Sequence, residues 1–377
     1  MPRLEFETLD ELNRHLDTSC DLSRAVFQSL DLNPVADRLS GVTLRHNVLL
    51  GCRASEALLD RFHEPVVFPS LPNVPFAMYP AHLYTPDQLL GGYVPGRAES
   101  YGDTLDGRAY RHYVDTGKAD TPDVVVMLAR RLHDHAMTDA LHEFLVGRRV
   151  VAIMGGHAMR RDAPMYLEVA RLSRDLVRAG FLPASGGGPG GMEATHLGAW
   201  FAPRGDDELV DAVAMLSEAP LYDPVGPWLD TTARVKERYP LDDPDEGRSL
   251  GIPTWLYGHE PPTGFATDIA KYFANSVREE GLLAIATYGV VFAPGSAGTI
   301  QEVFQDATQN HYRSFGTVSP MIFLGERFWT EEKPVFPLLK QLATGHNYGK
   351  LLSVTDDRAE VLAQIEAFRP HDDAHAG

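Results

Sequence analysis

The chain has 377 residues, a length for which roughly 150 residues per domain predicts two domains. Its 44% hydrophobic and 23% charged residues are those of an ordinary globular protein, and a formal net charge of −18 excludes partners that need a clustered excess of Lys and Arg, namely nucleic acid or an anionic membrane surface. The two cysteines, Cys20 and Cys52, have no CxxC or Cys/His spacing, which argues against a disulfide framework or a metal site and fits a reduced cytoplasm.

The start, residues 1–16, alternates acidic and apolar residues and does not read as a signal peptide. No apolar run approaches the ~20 residues of a membrane span. Residues 48–50 read as a strand, 55–62 as a short polar helix and 66–68 as another strand, so the first part is expected to be a small α/β unit. A Pro- and Tyr-rich passage over 69–95 precedes a helix over 124–144. His133-Asp134-His135 looks metal-like, but residues one and two apart on a helix do not share a face, and a solvated helix is expected. The boundary is placed near Gly147: an N-terminal α/β domain of unassigned role over 1–146 and a second domain over 147–370.

From Arg149 short apolar strands alternate with helices, the pattern of a Rossmann-like, doubly wound parallel sheet. Residues 150–154 form the first strand. Met165, Val169, Leu172 and Leu176 recur at helical spacing over 163–179, Gly180 supplies a stop, and 181–184 form the second strand. A glycine loop over 186–191 enters a helix over 192–201. Over 203–262 the chain is rich in Pro and acids and reads as an insertion or lid. Helices are then expected over 268–280, 299–309, 336–343 and 358–368, with strands over 290–293 and 321–324. No internal repeat is visible.

Three strand-to-helix loops carry glycine. Pro294-Gly295-Ser296-Ala297-Gly298-Thr299 follows a buried-type strand and opens a helix, so backbone N–H groups and the helix dipole can cradle a phosphate at the carboxyl edge of the sheet. Thr299-x-x-Glu302 is equally a capping box, although a plain cap needs no glycine-lined turn. Gly186, Gly188 and Gly191 satisfy G-x-G-x-x-G, but the loop follows the second strand and Asp206 and Asp207 have no strand before them. A phosphate- or ribose-facing loop with Gly187, Gly188 and Gly190 fits better than a dinucleotide fingerprint. Glu193 after it either meets a ribose hydroxyl or favours the helix start. Gly155-Gly156-His157-Ala158 closes the first strand, and three such ends suggest a shared cleft.

The 155–163 stretch, the Gly186-Gly187-Gly188-Pro189-Gly190-Gly191-Met192-Glu193-Ala194 run and the Pro294-to-Glu302 motif resemble the LOG family of cytokinin-activating phosphoribohydrolases and related nucleotide 5′-monophosphate nucleosidases, long mislabelled lysine decarboxylases. The likeness spans about residues 150–352, apart from the 203–262 segment. It implies cleavage of a nucleoside 5′-monophosphate to free base and ribose 5-phosphate, without cofactor or metal, by a homodimer or higher homo-oligomer. It implies that Arg278 and Glu302 are the catalytic pair. Ser296 stands where the family usually has glycine, and Arg278-Glu279 replaces its Arg-Lys pair.

The chemistry agrees, because breaking an N-glycosidic bond builds positive charge on the ribose that a carboxylate such as Glu302 can stabilise. Arg278 is expected to clamp phosphate or ribose oxygens, or else to pair on the surface with Glu279 or Glu280. Asn310-His311-Tyr312 either lines a base pocket or is a polar helix end. The lysines are read as lying away from the glycine loops, Lys271 apart, which argues against a pyridoxal-phosphate decarboxylase. A nucleotide sensor without chemistry and a dinucleotide oxidoreductase using 186–191 are the alternatives.

Overall fold

A computed structural model describes residues 3–370, and these divide into two compact units: residues up to Leu83 with Asp120–Phe144, and Tyr84–Ala119 with the residues from Leu145 onward.

In the first unit β1 (Glu5–Phe6), β2 (Val26–Gln28), β3 (Val48–Leu50) and β4 (Val66–Phe68) pair in chain order, all parallel. Paired residues lie roughly 20 positions apart, as in stacked coils in which each turn rests on its neighbours. The expectation of no repeat is therefore corrected: what recurs is the inward placement of Leu22 and Phe27, Leu44 and Leu49, and Leu58 and Phe62, not a sequence motif. Helix α1 (Leu9–Leu16) begins with a capping box between Thr8 and Glu11, and α2 (Glu56–Leu59) is shorter than expected.

Chain order is then interrupted. Helices α3 (Pro86–Leu90) and α4 (Leu105–Asp115) belong to the second unit, and α5 (Val124–Leu145) returns to the first. A single boundary near Gly147 thus misses residues 84–119. Among the contacts that hold them is a buried ion pair: Lys271 Nζ donates to Asp106, whose carboxylate also accepts from Trp255 Nε1 at 3.0 Å and Tyr101 Oη at 2.6 Å. On α5, His133 and Asp134 are buried, with Nδ1 3.1 Å from Oδ1 and the imidazole edge-on to Phe76. The expected solvated face is corrected there, because that side of the helix packs inward.

The second unit contains β5 (Val150–Met154), α6 (Pro164–Arg178), β6 (Leu182–Ser185), α7 (Gly191–Trp200), α8 (Asp206–Leu216), α9 (Val225–Arg238), β7 (Leu250–Gly251), β8 (Asp268–Ile269), α10 (Asn275–Ala284), β9 (Val290–Phe292), α11 (Ala297–Tyr312), β10 (Met321–Leu324), α12 (Val335–Leu342), β11 (Leu352–Thr355) and α13 (Arg358–Ala367). Its seven-stranded sheet is parallel throughout, in the order β11-β10-β9-β5-β6-β7-β8. Every residue of β5 is buried, as expected of a central parallel strand covered on both faces. On one face Val151, Ile153, Val291, Ala293, Ile322 and Leu324 pack with α6, α7 and α13. On the other, Phe292 stacks on Phe323 with centroids 5.1 Å apart, and Phe323 packs against Trp329 and Phe336. The doubly wound parallel class is thereby realised.

Two expectations change. The 203–262 segment, read as an insertion or lid, folds into α8, α9 and the sheet strand β7. The helix expected over 268–280 begins only at Asn275, because Asp268 and Ile269 pair with Leu250 and Gly251 as β8.

Candidate functional site

Strand order reverses between β5 and β9, so the loops leaving their carboxyl ends flank the crevice where ligands bind in open α/β sheets. The glycines there allow backbone to lie on backbone. A Cβ on Gly155 would come within 3.2 Å of Gly191 Cα, and one on Gly156 within 3.2 Å of Gly295 Cα. Gly191 N–H donates to Gly156 O at 3.1 Å and Gly156 N–H to Pro294 O at 3.3 Å. Gly190, at φ +72°, puts its Cα against the Gly156 and His157 carbonyls, where a side chain has no room. The three loops therefore meet.

Helix α11 starts at Ala297 with Ser296 as N-cap and no side-chain cap bond. The capping-box alternative is thus excluded, since Thr299 sits inside the first turn and its buried side chain fills the space beside Gly295. The first-turn N–H groups of a helix have no intrahelical acceptor, and the exposed Ser296, Ala297 and Gly298 border the crevice.

Glu302 falls one turn further along α11 and meets Arg278 from α10, with Nη1 3.6 Å from Oε1; the side chains are 9% and 15% exposed. Arg278 is not a surface residue pairing with its neighbours. Its Nε donates to Ile252 O at 2.8 Å, and its Nη2 occupies the space that a Cβ on Gly186 would take. Burial pushes the Glu302 carboxyl up to about 7; Arg278 opposes the rise and Glu279 adds to it. The result is a carboxyl able to take or give a proton near neutrality.

These groups line a cavity of about 420 Å³ with Gly155, Gly156, Ser296, Ala297, Gly298 and Thr299. Gly187, Gly188, Gly190 and Gly295 are not part of that lining: Gly187 rests on Gly251 and Pro253, Gly188 approaches Met192 and the Glu260 carboxylate, and Gly190 and Gly295 back the neighbouring loops. Glu193 is fully buried away from the cavity. It is held by Arg161 at 2.5 and 2.7 Å and by Tyr166 Oη at 3.0 Å, a structural ion pair that seats the start of α7. Asn310 accepts from Ser319 N–H at 2.9 Å and His311 packs against His346, so that end of α11 lines no part of the cavity.

The sequence reading missed Tyr222, Tyr257, His259, Glu260 and Gln301 as lining residues, and named His157 and Met192 only within the glycine loops and Glu279 only as a partner for Arg278. Tyr257-Gly258-His259-Glu260 offered a signal, since Gly258 lies against the Tyr110 ring where no side chain fits. Lys333 was misplaced as well: its Nζ donates to Gly295 O at 2.9 Å and braces the loop.

The fold and the crevice define an α/β protein with a doubly wound parallel sheet and a switch-point cavity. No protein-family model matches the chain, and no curated protein sequence does. Among solved structures it is similar to a molybdenum cofactor binding protein from the phototrophic bacterium Rippkaea orientalis, at 13% identity over 58% of this chain and 96% of that one with a TM-score of 0.35. It is also similar to the molybdenum cofactor carrier protein of Chlamydomonas reinhardtii, at 14% identity over 59% and 99% of the respective chains with a TM-score of 0.37. Overlaps this weak leave the class resting on the chain's own strand order. Among the described residues no helix is long and apolar enough to cross a membrane, and no group of three or more His, Cys, Asp or Glu could hold a metal ion.

Proposed function

We propose that the cavity binds a nucleoside 5′-monophosphate and hydrolyses its N-glycosidic bond, as the resemblance to the LOG family implies. The observation that carries this reading is the nearly buried Arg278–Glu302 pair, 3.6 Å apart, beside an uncapped helix start in one cavity. The phosphate would accept from the first-turn N–H groups of α11, which fixes the ribose and makes attack at C1′ effectively intramolecular. The Glu302 carboxylate stabilises the oxocarbenium-like ribose and accepts the proton of the attacking water. The C1′–N bond breaks, its electron pair leaves with the base, and the proton that water gives to Glu302 is passed on to the departing base, so that the carboxylate is restored. Arg278 opposes the burial that raises the Glu302 carboxyl and can reach ribose or phosphate oxygens.

The test is to incubate the protein with a panel of nucleoside 5′-monophosphates and separate free base chromatographically, with Glu302→Gln in parallel. Base release at least about 100-fold slower in the variant, with binding retained, supports the reading. Tight binding with no base release from any monophosphate would make the protein a nucleotide sensor instead. Unchanged release by Glu302→Gln would remove the carboxylate from the chemistry.

A further inference from the structure

The cavity that the helix start borders is also lined by four rings, His157, Tyr222, Tyr257 and His259, and by the Glu260 carboxylate. His157 lies edge-on to Tyr222, with centroids 6.4 Å apart. Flat π-faces of this kind hold a nucleobase without regard to its identity, because every base can stack. Identity must be read at the base edge, and of the carboxylates lining the cavity Glu302 faces Arg278 and Glu279 accepts from Gln301, which leaves Glu260 for that role. It is 14% exposed, and its Oε1 stands 3.9 Å from His157 Nδ1, beyond hydrogen-bond length, so the carboxylate fork is left to accept. The buried Lys271 adds a favourable field behind it.

We infer that Glu260 reads the nucleobase and selects guanine. An ionised carboxylate offers acceptors only, and its two oxygens match two parallel N–H donors. Guanine presents that pair, N1–H beside the N2 amino group. Adenine and cytosine present one donor beside an acceptor, which would face a carboxylate oxygen lone pair to lone pair. Hypoxanthine and uracil present a single N–H next to carbonyl oxygens. A polar site left with an unpaired buried acceptor rejects the analogue strongly, and a bidentate base contact discriminates by about 10-fold or more.

The inference rests on the proposed nucleotide reading for the position of the phosphate, so its test is binding, measured apart from turnover. Affinities for GMP, IMP, AMP, CMP and UMP are determined calorimetrically in the full-length chain carrying Glu302→Gln, with and without Glu260→Gln. GMP is expected to bind about 10-fold or more tighter than IMP and AMP. Glu260→Gln should move the preference to AMP, because the amide donates to adenine N1 and accepts from N6. Equal affinity for GMP and IMP, or a GMP-to-AMP ratio unchanged by Glu260→Gln, overturns the inference. If Glu260→Gln fails to fold, the GMP-to-IMP ratio of the Glu302→Gln chain decides alone. GMP preference without base release in the wild-type chain refutes hydrolysis and leaves base reading intact. Base release at equal rates from all five monophosphates does the reverse, and no binding of any of them refutes both.

Discussion

Replacing Arg278 by Met keeps an aliphatic stem in the buried site and removes the charge facing Glu302. At 3.6 Å and an effective dielectric constant near 20, the attraction lost is about 4–5 kcal/mol, the equivalent of about 3 pH units. Water entering the vacated space returns part of this. With half returned, the carboxyl moves from about 7 to above about 8. The direct readout is infrared difference spectroscopy over a pH titration, following the protonated-carboxyl stretch that Glu302→Gln lacks. The kinetic readout is the acid limb of kcat/KM for the best monophosphate, which reports the same group in the free protein. Both should move upward together, with activity partly recovered at high pH if the arginine acts through Glu302. A spectroscopic midpoint still near 7 in Arg278→Met would refute the coupling. A shifted midpoint with no recovery would show that the guanidinium also touches the ligand.

Three further outcomes follow from the packing. Gly190→Ala, at φ +72° and against two carbonyl oxygens, should cost about 1–3 kcal/mol in denaturant unfolding, whereas Gly298→Ala, with open space around its Cβ, should be neutral or stabilise α11 by up to about 1 kcal/mol. Asp106→Asn strands the buried Lys271 ammonium and should cost about 3–5 kcal/mol, much of it regained by adding Lys271→Met; a cost under about 1 kcal/mol would mean the pair does not hold residues 84–119. Burial raises the Glu302 carboxyl to about 7 and that of Asp306 well above its ordinary value, so between about pH 4.5 and 7 the native state binds more protons than the unfolded chain, and stability falls as pH rises. Glu302→Gln with Asp306→Asn should flatten that slope in melts recorded across the window, and an unchanged slope would place the titration elsewhere.

Much of the second unit was legible in the sequence because its information is local. Strands β5 and β10 are unbroken apolar runs, α6 carries its stripe at helical spacing with Pro164 at its first position, and the three glycine loops stand between strand and helix. Arg278 and Glu302 were legible only through resemblance, since on residues alone one read as a surface arginine and the other as part of a cap. The tertiary structure decided between those readings: Gly186 leaves room for the guanidinium, and Ser296, not Thr299, opens α11.

What remained illegible depends on partners distant in the chain. Tyr222, Tyr257 and Glu260 lie in a segment whose Pro and acidic residues read as an insertion or lid, and the fold brings them to the cavity beside the sheet that β7 extends. Glu193 follows the glycine loop as a ligand contact would, yet it turns to Arg161, 32 residues away in sequence. Residues 84–119 read as part of the N-terminal domain until Asp106 meets Lys271, 165 positions on. The sequence by itself thus determined the doubly wound class and the glycine-lined helix start, because strand burial, helix period and glycine turns are properties of adjacent residues. The facing of Glu302 by Arg278, the wall with Glu260 and the membership of residues 84–119 were decided by the tertiary structure alone, because a buried charge is settled by whichever partner the fold brings to it.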